Sequence, residues 1–219
     1  MCEHFKSLRS MRNPGVVFAL AIGSLLASAP EASAQVAWDT PLLAHPFAPE
    51  GWGIYVAETD PGDDIATFGQ WRGRWHGHRV AIRAGIGEEA DDDLAVFSGV
   101  DVSGSLYRAQ DGDPPLALDW VSGFGLGIGE DVLVSIPLGV VAGWNIALDD
   151  ATIRPYGGPR VVLDGWIGDD TPRGDDDLEL EVLVDLGADF VFDPGWAIRF
   201  GATLGDRDGI AVGVALPAG

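Results

Sequence analysis

The sequence predicts an all-β protein, an up-and-down antiparallel transmembrane β-barrel of eight to ten strands, with ten favoured. The first observation is the alternation over residues 178–192, where every even position is apolar and most odd positions are polar or charged. A period of two residues indicates a β-strand with one apolar and one polar face. The second observation is the length of this strand, which exceeds the usual length of about 5–6 residues and suffices to cross a bilayer, for which about 9–11 residues are needed.

The N-terminal residues 1–34 are predicted to be a secretory signal peptide. Lys6, Arg9 and Arg12 supply its positive start, residues 16–29 form an apolar core, and Ala32-Ser33-Ala34 offers a small-residue cleavage pattern. The apolar core is shorter than the roughly 20 residues that a membrane-spanning helix requires. An uncleaved membrane anchor is the alternative interpretation.

The rest of the chain is divided into an extended N-terminal lead-in, residues 35–50, and one barrel domain, residues 51–219. The lead-in contains three prolines and no hydrophobic period. From residue 51 onward, apolar residues alternate with polar or small ones between turn signals, which predicts consecutive strands. The ten predicted strands are 51–58, 65–75, 78–87, 94–107, 116–128, 131–146, 151–165, 178–192, 195–204 and 209–216.

Composition narrows the classes of function. The formal net charge of −21 argues against nucleic-acid binding, which requires a basic surface. The single cysteine, Cys2, lies in the predicted signal peptide, so cleavage excludes disulfides and thiolate chemistry from the remaining protein.

The charges within the predicted strands fall on the less apolar face, which predicts a charged barrel lumen. Seven arginines face seven acids there, and Glu58 is the one charge on the apolar side. Balanced charge suits paired ions, since an unpaired buried charge is costly, and arginine pairs well with carboxylates. A soluble barrel with these charges on its solvent face is the alternative. The predicted network consists of Arg72, Arg74, Arg79, Arg83, Arg154, Arg160, Arg199, Asp101, Asp119, Asp164, Glu179, Glu181, Asp185 and Asp189.

The loops and tryptophans predict an orientation. Most acidic loop residues, including Asp91–Asp93 and Asp175–Asp177, fall on one rim, whereas the other rim has short turns. Trp52, Trp75, Trp144 and Trp196 all lie near the short-turn rim on the apolar face, which indicates an interfacial aromatic belt. We therefore expect the short turns to be periplasmic and the acidic loops to be extracellular.

Two strand motifs carry a family resemblance. Ile136-Pro-Leu-Gly-Val-Val-Ala-Gly-Trp144 and Pro155-Tyr-Gly-Gly-Pro-Arg160 resemble strands of the small bacterial outer-membrane β-barrel superfamily, the group with OmpA-, OmpX- and OmpW-like barrels. The resemblance covers residues 51–216 and implies a barrel in the outer membrane of a Gram-negative bacterium. It supplies no catalytic residues, and the chain lacks the terminal aromatic residue of many such barrels.

No cofactor or dedicated metal site is predicted. The acidic clusters lack the spacing of a calcium loop, so we expect at most weak Ca²⁺ or Mg²⁺ binding at the acidic loops, with the cations bridging to lipopolysaccharide. His76 and His78 are too few ligands for a metal site.

These observations predict a porin-like, non-enzymatic barrel with a structural or surface-interaction role, and narrow-pore transport of small solutes as the second possibility. The competing function is a soluble secreted or periplasmic barrel that binds a small hydrophobic ligand. The expected partner is outer-membrane lipid, and the expected state is a monomer.

Overall fold

The described part of the chain folds into a closed antiparallel β-barrel. The structure, a computed structural model, describes residues 40–59, 64–89, 93–109, 116–129, 132–167 and 178–218. The predicted signal peptide lies outside these residues. Within them, no helix is long and apolar enough to cross a membrane.

Eleven strand segments form the barrel wall. β6 and β7 are separated only by Asn145, and both pair with β8, so they act as one strand of a ten-strand barrel. The segments are β1 (Gly51–Thr59), β2 (Asp64–Trp75), β3 (His78–Glu89), β4 (Asp93–Arg108), β5 (Leu116–Ile128), β6 (Val132–Trp144), β7 (Ile146–Ala147), β8 (Ala151–Ile167), β9 (Leu178–Phe192), β10 (Ala197–Gly205) and β11 (Gly209–Pro217).

The barrel closes where the first strand meets the last. β1 and β11 pair from Gly51↔Pro217 to Thr59↔Gly209, and every other strand pairs with its sequence neighbour. Closure removes the free edges that would otherwise leave backbone N–H and C=O groups unpaired. The predicted all-β, up-and-down antiparallel barrel with ten strands is therefore confirmed.

The two faces of the wall differ as the alternation predicts. Outward side chains such as Ile54 and Leu180 are 70% and 65% exposed. Inward charged side chains such as Arg83 and Asp185 are 1% and 0% exposed. A soluble barrel would need the apolar rows inside and the charges outside, which is the opposite arrangement.

The β2–β3 hairpin shows why the short-turn rim is tight. His76 and Gly77, the two residues between these strands, have φ angles of 49° and 84°. Two consecutive residues with positive φ are typical of a type I′ turn, whose twist matches that of the paired strands. Glycine meets this requirement without steric cost at the second position.

Residues 40–50 run from the interior of the barrel to the short-turn rim, where Glu50 is exposed. Thr40, Leu42, Leu43 and His45 are all almost completely buried, although they belong to no strand. We call residues 40–50 the plug. The chain then enters β1 at Gly51, so the plug occupies the lumen from the short-turn rim inward.

The assignment of faces predicts that arginine in the outward rows will impair assembly. Leu138→Arg and Leu186→Arg each place a charge in the middle of an outward row, at positions 56% and 46% exposed. Such a charge costs about 2–4 kcal/mol at the bilayer midplane. We expect less heat-modifiable, folded protein in the membrane fraction, whereas Leu138→Ile and Leu186→Ile assemble normally. Equal assembly of all four variants contradicts the assignment.

Candidate functional site

The plug fits the lumen because two inward positions of the wall are glycine. A Cβ atom at Gly143 would lie 2.7 Å from Pro46 Cδ and 2.9 Å from His45 Nε2. A Cβ atom at Gly201 would lie 2.6 Å from Leu43 Cδ2. All three distances are shorter than real Cβ contacts, so a larger residue at either position requires the plug to shift.

Arginines of the wall hold the plug by its backbone carbonyl groups. Arg72 donates to Leu43 O, and Arg79 donates to Pro46 O. Arg154 Nη1 donates to Phe47 O at 3.1 Å. These three side chains come from β2, β3 and β8, so they fix the plug from different sides of the barrel.

The inner end of the plug is anchored by further polar contacts. Arg83 Nη1 donates to Thr40 Oγ1 at 3.0 Å and to Pro41 O at 3.5 Å. The Leu42 backbone N–H donates to Asp185 Oδ1 at 3.0 Å. Hydrogen bonds therefore hold both ends of the plug.

His45 is the buried ionisable residue of the plug, and its surroundings favour the neutral ring. The Phe47 backbone N–H donates to Nδ1 at 2.9 Å. Nε2 lies 3.2 Å from Trp144 O and must carry the proton to donate to it. Burial lowers the pKa of His45 to about 4 because desolvation disfavours the charged ring. The neutral tautomer thus satisfies both nitrogens.

Two arginine–carboxylate pairs in the lumen are fully buried and bidentate. Arg199 contacts Asp189 through Nε at 2.6 Å and Nη2 at 2.7 Å. Arg160 contacts Asp185 through Nε at 2.7 Å and Nη2 at 3.1 Å. Thr203 Oγ1 also donates to Asp185 at 2.8 Å. The paired geometry of guanidinium and carboxylate satisfies several donors at once.

Two arginines outside the predicted network complete other pairs. Arg108 and Arg79 both contact Asp119. Arg207 contacts Asp164 and Glu181, and Ser135 also donates to Asp164. Sequence reasoning missed Arg108, which lies beside a β-bulge at the end of β4, and Arg207, which lies in the β10–β11 turn. Because neither residue lies in a regularly alternating part of a strand, parity could not assign either of them to the lumen.

The remaining members of the predicted network have different surroundings. Arg83 Nη2 lies 3.7 Å from Asp101 Oδ2. Glu179 is half-buried, and its backbone lies directly opposite that of Asp164 in the pairing of β8 with β9. Among the described residues, no ion pair within 4.0 Å involves Arg72 or Arg154, whose contacts are with the plug.

The prediction that Arg74 belongs to the lumen network is wrong. Its side chain is 66% exposed, and its Nε lies 3.0 Å from Glu50 Oε1 at the short-turn rim. Arg74 has the inward parity of β2, but it lies one residue from the end of the strand. Parity gives the face of a side chain and not its depth.

The lumen is filled by apolar side chains as well as by charges. Leu42 and Leu43 of the plug pack in one cluster with inward wall residues, among which Tyr55 and Phe68 stack with ring centroids 5.1 Å apart. A small void of about 10 Å³ lies between the plug and Arg72, near the lower limit for one water molecule. The plug, the apolar cluster and the charged pairs therefore occupy this part of the lumen together.

The four predicted belt tryptophans lie at the short-turn rim. Trp52 and Trp75 are exposed, whereas Trp144 and Trp196 are half-buried. Trp71 and Trp120 occupy the same outward rows a few residues further in, and Trp52 and Trp71 have ring centroids 6.5 Å apart. The aromatic level therefore includes two more tryptophans than the strand ends indicate.

The described residues contain no group of three His, Cys, Asp or Glu side chains that could hold a metal ion. The clusters Asp91–Asp93 and Asp175–Asp177, where weak cation binding is predicted, lie almost entirely outside the described residues.

The chain is similar to known proteins at the level of solved structures. No family model and no curated protein matches the chain. A crystal structure of the outer membrane enzyme PagL matches with a TM-score of 0.37 and 14% sequence identity, over 76% of this chain and 99% of that chain. The matched protein is an enzyme, so the prediction that this chain is not an enzyme is withdrawn. A likeness at this level assigns no activity to this chain.

The buried pairs predict a large loss of stability when one partner is removed. Arg199→Ala leaves Asp189 buried without its guanidinium partner, at a cost of about 3–5 kcal/mol. Arg74→Ala removes a pair that is largely exposed and worth about 0–1 kcal/mol. We expect the thermal unfolding midpoint, measured from gel mobility after heating, to fall clearly only for Arg199→Ala. Similar midpoints for the two variants contradict the buried-pair assignment.

Proposed function

We propose that the chain is a barrel of the Gram-negative outer membrane, held closed by its plug, with a structural or surface-interaction role. The observation that carries this proposal is the combination of an apolar outer wall with a filled, charged lumen. An outward face of exposed apolar rows suits contact with lipid. A filled lumen suits a closed barrel better than an open channel.

The proposed orientation puts the short turns in the periplasm and the acidic loops outside. The tryptophans at the short-turn rim support a membrane interface at that level. The acidic loops are then available to bind divalent cations weakly and, through them, the phosphates of lipopolysaccharide. The proposed partner is outer-membrane lipid and the proposed state is a monomer, in the superfamily that the strand motifs resemble.

Narrow-pore transport of small solutes is the second candidate. It is favoured by the plug, because this segment fills part of the lumen without belonging to any strand of the wall. Such a segment can leave without unfolding any strand, whereas side chains that are part of the wall cannot.

Planar-bilayer recording tests the closed state. We expect no steady single-channel currents from the intact protein. Gly143→Val and Gly201→Val should displace the plug, because their side chains occupy the space of His45, Pro46 and Leu43, and steady currents should then appear. Gly69→Val is the matched control, since its outward Cβ has only Gly53 O nearby, at 3.9 Å. Large steady currents from the intact protein would favour the pore over the closed barrel.

Epitope insertion tests the orientation. An epitope inserted between Asp170 and Asp175 should be labelled on intact cells, because this loop belongs to the acidic rim. An epitope inserted between Asp149 and Asp150 should be labelled only after the outer membrane is permeabilised. Labelling of the second site alone on intact cells would invert the topology.

A further inference from the structure

We propose that the arginines around the plug form an oxyanion-binding site, for phosphate or carboxylate groups, that the plug occupies with its own carbonyl oxygens. The inference rests on the proposal that the plug closes the lumen, and it adds the chemical class of ligand that binds where the plug now lies. It concerns the half of the lumen next to the short-turn rim.

The first argument is charge. Among the described residues, the wall around the plug carries seven arginines against four aspartates, so positive charge is in excess there. Arg108 belongs to this group because its guanidinium lies 5.6 Å from the centroid of the Phe47 ring. The seven arginines are Arg72, Arg79, Arg83, Arg108, Arg154, Arg160 and Arg199, and the four aspartates are Asp101, Asp119, Asp185 and Asp189.

The second argument is the kind of acceptor that the arginines use. Arg72, Arg79, Arg83 and Arg154 each donate to a carbonyl oxygen of the plug, at Leu43, Pro46, Pro41 and Phe47. Carbonyl oxygens carry only partial negative charge, so they satisfy hydrogen bonds without neutralising the guanidinium charges. An oxyanion would supply both the acceptors and the missing charge.

The third argument is an unused donor. Arg72 is only 6% exposed, and its Nη1 has no hydrogen-bond partner among the described residues. The Nε of Arg154 is likewise buried without a partner there. Buried donors without acceptors are costly, so the plug satisfies these two arginines incompletely. Rings of arginine are the arrangement that anion and phosphate pores use.

The opposite half of the lumen has the reverse balance. Asp164 and Glu181 share Arg207, and Glu179 lies across from Asp164. Three carboxylates therefore accompany one arginine among the described residues there. The excess of positive charge is confined to the part of the lumen that the plug fills, which locates the oxyanion site.

The experiment uses inorganic phosphate as the probe and a barrel that lacks residues 40–48. The thermal unfolding midpoint is measured in phosphate and in potassium chloride of equal ionic strength. Binding to the folded state alone raises the midpoint, and we expect a rise on the order of 4 °C for the deletion variant. The intact protein should show no rise, because the plug covers the site. If the deletion variant does not fold, Gly143→Val replaces it.

Arginine variants in the deletion background assign the effect to the site. Arg72→Gln combined with Arg154→Gln should abolish the rise, whereas Arg74→Gln, at the exposed rim, should retain it. A synthetic peptide of residues 40–48 should remove the response to phosphate by competing for the same donors. No rise in the plug-free barrel, or an equal rise without Arg72 and Arg154, overturns the inference. Bilayer currents report plug closure independently, so a variant that conducts but ignores phosphate overturns the oxyanion site alone.

Discussion

The guanidinium groups buried in the lumen require oxygen acceptors, and this requirement organises the interior of the barrel. An apolar outer wall confines most charged side chains of the strands to the lumen. Carboxylates from neighbouring strands satisfy Arg160 and Arg199. Carbonyl oxygens of the plug accept one hydrogen bond each from Arg72 and Arg154, which have no carboxylate within ion-pair distance among the described residues. The plug thus supplies hydrogen-bond acceptors to buried guanidinium groups as well as filling the lumen.

The wall could be predicted from the sequence because alternation has a direct geometric meaning. Each residue in a strand points opposite to its neighbour, so the apolar row of β9 had to lie on one face. The two-residue turn at His76 and Gly77 and the short connections fixed the order of the strands. The count of ten strands followed from these local sequence patterns alone. The interruption of one strand at Asn145, between β6 and β7, is not marked by any pattern in the sequence.

The plug could not be predicted because its partners lie far away in the chain. Leu42 contacts Asp185, and His45 contacts Trp144, so no local period records these contacts. The available signals were indirect: two adjacent leucines in an otherwise unpatterned segment, and the inward glycines at positions 143 and 201. The prediction for Arg74 was wrong for a related reason, since the depth of a side chain along the lumen depends on strand tilt and not on parity.

The direct linkage of the plug to β1 has a kinetic and thermodynamic consequence. Glu50 is followed at once by Gly51 of β1, so a plug that leaves the lumen remains tethered at its entrance. A short tether keeps a segment at an effective concentration on the order of millimolar. A soluble competitor that binds as tightly as the plug therefore has to exceed that concentration to displace it. A competitor that binds more weakly needs a proportionally higher concentration. The barrel returns to its closed form as soon as the competitor is diluted.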